Sequence, residues 1–189
     1  MKRVLLLIAL ATSVLATSIV AQQQVNVDEM MASYAEMSKP VAEHRRLEAR
    51  AGKLDVTTKL WLDPAQPPVV FRGSGEAKMI LGGRFLQVTT KLNGKTSAEA
   101  LQLFGFDTRT NEYTLTGFDT LGTYAISAAG KYDETQNAMI LAGSYLEPPT
   151  NEERKYRFVM KGDVFSLYFA MPDGKEMLVA ETTYRKVSR

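Results

Sequence analysis

"MILGGRFLQVTTKL", residues 79–92, decides the fold. Gly82-Gly83 either cradles a phosphate ahead of a helix or turns one strand into the next. A phosphate loop needs strand, glycines and helix N-terminus in that order. After the glycines, Arg84, Leu86, Val88, Thr90 and Leu92 alternate with Phe85, Gln87, Thr89 and Lys91. That is period two, the period of a strand. The glycine pair therefore reads as a tight turn between adjacent strands, where positive φ comes without steric penalty. The second Gly-x-Gly, Gly73-Ser74-Gly75, has Lys78 where a dinucleotide fingerprint has its third glycine. It also runs on into a strand, which argues against a nucleotide site.

The same period repeats on both sides of this stretch. Leu54, Val56, Thr58, Leu60 and Leu62 alternate with Asp55, Thr57, Lys59 and Trp61. Further strand-like runs cover 69–80, 84–92, 98–106, 112–118, 124–131, 138–145, 155–161, 164–171 and 176–186. Short gaps with turn chemistry separate them, such as Asn93-Gly94, Lys161-Gly162-Asp163 and Pro172-Asp173-Gly174. Three exits share a pattern of Gly, aromatic and Asp: Gly105-Phe106-Asp107, Gly117-Phe118-Asp119 and Gly130-Lys131-Tyr132-Asp133. The Asp is placed to bond the turn backbone. About ten antiparallel strands in succession must close or split. Short hairpins favour an all-β, up-and-down antiparallel barrel, which leaves no exposed edge. A two-sheet sandwich is the alternative.

Ahead of the strands, residues 26–51 have helical spacing. Asn26 is placed to cap, with Glu29 as capping-box partner. Met30, Met31, Tyr34 and Met37 share a face, Lys39-Pro40 breaks the helix, and Val41, His44, Leu47 and Ala51 stripe a second one that Gly52 ends. These helices are expected to cap one end of the barrel.

The first residues belong to neither part. Lys2-Arg3, the apolar run over residues 4–10 and the small residues to Ala21 have the layout of a cleavable signal peptide. The expected organisation is signal peptide 1–21, helical segment 22–52 and barrel 53–189, in a periplasmic or secreted protein. Removing Lys2 and Arg3 from 23 basic residues leaves 21 against 21 acidic ones. A neutral chain without a basic patch argues against nucleic acid as partner. The chain has no cysteine, so it has no lipid-anchoring cysteine and no thiolate zinc site. No membrane anchor is expected after cleavage.

"MILGGRFLQ", "PVAEHRRLEARAGKLDV", "GFDTRTNEY" and "MPDGKEMLVAETTYRK" together resemble a bacterial family, domain of unknown function 1579, over most of the chain. The resemblance implies a lipocalin-like (calycin-type) barrel and carries over no catalytic residues. Lipocalin-like barrels typically open with Gly-x-Trp against a late Arg. Here the place reads Gly52-Lys53-Leu54, and Arg185 follows Tyr184.

Few residues look like chemistry. His44 and Glu48 have the i, i+4 spacing of shared metal ligands, but there is only one His. Packing on the inner stripe of its helix, with a bond to a neighbour, is the favoured role. No cofactor, metal or catalytic residue is assigned. Arg84 is the candidate ligand contact: if its strand face points inward, it sets a cation in or at the barrel mouth to hold a carboxylate. Trp61, Tyr113, Tyr124 and Tyr156 are candidate lining residues, from an aromatic set that also includes Phe85, Phe104 and Tyr168. The favoured function is non-enzymatic binding of a small, partly hydrophobic or amphipathic ligand. The alternatives are a structural or interaction module, as a homodimer for example, and, least supported, an enzyme.

Overall fold

The computed structural model describes residues 26–94, 97–147 and 149–187. The expected signal segment, 1–21, lies outside them. α1 (Val27–Met37) opens the described chain. Asn26 Oδ1 accepts from the N–H groups of Asp28 (3.1 Å) and Glu29 (3.3 Å), the expected N-cap. The Met30, Met31, Tyr34 and Met37 face is exposed. Lys39–Arg189 forms a compact unit of its own, and α2 (Ala42–Glu48) belongs to it.

Ten strands come after it: β1 (Gly52–Leu60), β2 (Val69–Ile80), β3 (Phe85–Asn93), β4 (Ala98–Asp107), β5 (Glu112–Asp119), β6 (Ile126–Asp133), β7 (Ala138–Glu147), β8 (Glu152–Lys161), β9 (Val164–Ala170) and β10 (Glu176–Lys186). Each pairs antiparallel with its neighbours in sequence, and β1 pairs with both β2 and β10. The sheet is thus a closed up-and-down barrel, as the hairpin lengths required, and not a sandwich. Gly52 does not end the helix; it opens β1, and Ala49 caps α2.

The turn at Gly82-Gly83 forms as read. Leu81, Gly82 and Gly83 have φ of 49°, 65° and 83°, and Arg84 N–H bonds back to Ile80 O at 3.2 Å. Gly73 and Gly75 lie inside β2 where it crowds β3; a Cβ on Gly73 would stand 1.9 Å from Lys91 O. That closeness accounts for the Gly-x-Gly without any ligand. The three strand-exit aspartates bond their turns: Asp107 to Arg109 N–H, Asp119 to Leu121 N–H and Asp133 to Gln136 N–H. Their aromatics diverge, because Phe106 packs against Tyr113 while Phe118 is exposed.

α2 sits across the end where β2 runs into β3. His44 is buried against Phe106, ring edge to face at 6.0 Å, and its Nδ1 accepts from Val41 N–H at 3.0 Å. Arg46 reaches Glu134 in the β6–β7 turn, Arg50 reaches Gly162 O in the β8–β9 turn, and Lys186 reaches Ala49 O. Beneath α2 the inward side chains are large and buried, Leu54, Leu86, Phe104, Tyr113 and Met160 among them, and Leu47 of α2 joins the same cluster. Burial on that scale supplies the hydrophobic stabilisation of the fold. Leu54 fills the place of the absent Trp, and Arg185 turns outward to pair with Asp55 at 2.9 Å.

Candidate internal binding chamber

The inward residues change size along the barrel. Towards the end away from α2, several strands turn short side chains into the lumen: Ala98 and Ala100 from β4, Ala180 and Thr182 from β10, Thr58 from β1 and Thr90 from β3. Small residues facing one another across a closed barrel cannot fill it. The result is a chamber of about 290 Å³, walled also by Val56, Leu60, Phe71 and Leu92. This volume lies just below the usual range for small-molecule pockets, about 300–1,000 Å³.

The chamber has a polar seam. Thr58 and Thr182, cross-strand partners, share a hydrogen bond between their hydroxyls at 3.0 Å. On its floor Tyr184 donates to Gln102 Oε1 at 3.0 Å. Burial pushes the Tyr184 hydroxyl pKa well above its ordinary value, with the bond to Gln102 opposing, so it stays protonated. With Oε1 so occupied, the amide N–H groups of Gln102 are the donors left to a guest. Among the described residues no cationic side chain lines the chamber; its rim carries Glu99 and Asp119. Glu99 is paired with Lys91 at 2.9 Å.

Tyr184 also lines a second chamber of about 280 Å³ under α2. The Tyr184–Gln102 bond therefore lies between two spaces in one barrel. A larger hollow of about 860 Å³ lies along β1–β5 and carries Lys53 and Lys91 with Asp55, Glu76 and Glu99, charges of both signs.

The five candidates from the sequence do not converge. Arg84 lies at the α2 end, not the open mouth, and its Nη1 donates to Leu81 O at 3.1 Å. Its alternation was legible, but alternation does not say which end of a strand a helix covers. Tyr113 lies at the same end, 2 % exposed, with its hydroxyl donating to Glu43 O at 3.4 Å. Tyr156 is 4 % exposed; its hydroxyl donates to Ser127 O (2.7 Å) and accepts from Ser127 N–H (3.1 Å). Tyr124 is 54 % exposed beyond the other end and stacks on Tyr145. Trp61 comes directly after β1, with its backbone N–H on Val179 O. None of the five lines the 290 Å³ chamber.

Sequence reasoning passed over Thr58, Gln102, Thr182 and Tyr184. The available signal was the set of small and hydroxyl residues at inward positions of β1, β4 and β10. It carries meaning only once register brings those strands round the same lumen.

A family model described as protein of unknown function (DUF1579) matches residues 39–186, which is the whole barrel with α2. No curated protein matches the chain.

Proposed function

The chain belongs to the DUF1579 family of proteins of unknown function, and on that premise we propose that its barrel binds a small, neutral, partly hydrophobic molecule bearing an acceptor oxygen. One observation carries this reading: a 290 Å³ chamber with apolar walls and a polar seam of Thr58, Thr182, Gln102 and Tyr184. An apolar body leaves water for the walls, and a carbonyl or hydroxyl oxygen takes the Gln102 amide. The acidic rim and the lack of a lining cation among the described residues favour a neutral guest over an anion. A solid-core interaction module would have no use for such a space. Export fits the signal-like start, Lys2-Arg3 and the apolar run over residues 4–10, and sets the place of binding in the periplasm or outside the cell.

The test is a titration with 2-heptanone, monitored by amide chemical shifts. Shifts are expected to cluster at Thr58, Gln102 and Thr182. Ala180→Phe, which fills the chamber, abolishes them. Gln102→Leu weakens binding about threefold to tenfold, the worth of one neutral hydrogen bond. Shifts confined to the outer wall, or undiminished in Ala180→Phe, overturn the proposal.

A further inference from the structure

The chamber under α2 has a different chemistry. Its floor is apolar and mostly buried: Leu54, Ala77, Leu86, Val88, Phe104 and Met160. Its rim holds Arg46, Arg50 and Lys186 against a single carboxylate, Asp163. Arg46 is already matched, bonded to Glu134 at 3.0 Å and stacked over the Tyr132 ring at 3.6 Å. Arg50 and Lys186 are held otherwise. Arg50 Nη1 donates to Gly162 O at 2.8 Å and Lys186 Nζ to Ala49 O at 2.7 Å, both neutral backbone carbonyls. Among the described residues, neither has a carboxylate within ion-pair distance.

Two cations facing one carboxylate leave one positive charge at the mouth of an apolar chamber. Burial already pulls the Arg50 guanidinium below its ordinary pKa, only partly offset by Asp163. A carboxylate makes charge-assisted bonds roughly twice as strong as those to a backbone carbonyl. An anion arriving here therefore displaces weak acceptors, and its hydrocarbon tail covers the apolar floor. Inorganic anions have no tail to use that floor, and a dianion would exceed the single excess charge.

We propose that the α2-end chamber is a second site, which takes a small aliphatic or aromatic monocarboxylate with its head on Arg50 and Lys186. It is separate from the neutral site beyond Tyr184 and does not depend on it.

The test compares hexanoate, 1-hexanol and hexylamine by titration, with amide shifts to map each, in the wild type and in Ala180→Phe. Hexanoate is expected to shift Leu86, Met160 and Gly162, equally in both proteins, and to bind at least about tenfold tighter there than 1-hexanol or hexylamine. Lys186→Gln, at the exposed rim, is expected to weaken hexanoate about tenfold, and Arg50→Lys less than Arg50→Gln. The charge series on the unaltered protein stands even if Arg50→Gln fails to fold. Equal binding of the three compounds under α2 overturns the proposal, as does hexanoate binding that Lys186→Gln leaves unchanged. Hexanoate shifts confined to Thr58 and Thr182 overturn it too, while leaving the neutral site in place.

Discussion

Tyr156 stands where β6 and β7 part. Their pairing runs from Asp133↔Ala138 to Ala129↔Ala142 and stops. Ser127, two residues further along β6, pairs with Thr116 of β5 on one side only. On the other side its N–H and C=O both meet the Tyr156 hydroxyl. One side chain from β8 thus stands in for a missing ladder rung. Tyr156→Phe removes both bonds, and exposed Ser127 recovers some of the loss from water. Chemical denaturation is expected to show a loss of about 1 kcal/mol with an unchanged slope; an unchanged midpoint contradicts this role. The sequence marks Tyr156 as an inward aromatic, but its partner lies 29 residues away and no local pattern points to it. Arg84 teaches the converse. Its turn was legible to the residue, yet its distance from the mouth depends on where α2 docks.

At the scale of elements, α2 has seven residues and depends on its first turn and its packing. His44 Nδ1 accepts from Val41 N–H, which places the imidazole proton on Nε2. Burial lowers the His44 pKa below its ordinary 6.5, with the Arg84 charge acting in the same direction and the Glu43 carboxylate opposing. The unfolded chain therefore takes up this proton at a higher pH than the folded one. The contribution of His44 is full above pH 6.5, declines as pH falls below that value, and is gone below the folded pKa. His44→Ala is expected to be less stable than the wild type at pH 7.5, with the gap narrowing as the pH falls below 6.5. A constant gap, measured by thermal unfolding, contradicts this. Pro40 and the apolar stripe made α2 legible, and Gly, Asn and Asp at the turns made the hairpins legible, since turn chemistry is local. Strand ends were less so: β8 begins at Glu152, before the visible alternation at Lys155, because pairing with Glu147 extends it.

For the molecule as a whole, strand number and neighbour order came from short connections, because successive hairpins have one compact closure. The lumen did not. Period two identifies the two faces of each strand, but the free volume inside depends on which small residues meet across the barrel. Ala98 and Ala100 lie far along the chain from Ala180 and Thr182, and all four are unremarkable where they stand. Brought together by register, they leave the chamber on which the proposed function rests. Trp61, Tyr124 and Tyr156 looked suited to a ligand because aromatics supply contact area, yet Tyr156 is core, Tyr124 is exposed and Trp61 comes after the end of β1, and none of them lines the chamber. The most direct measurement is native mass spectrometry of the protein purified from its own host, beside its Ala180→Phe variant. The account predicts a small neutral molecule carried by the wild type, released on denaturation and missing from the variant. A bare polypeptide mass from the wild type in every preparation contradicts it, as does the same neutral adduct on both proteins.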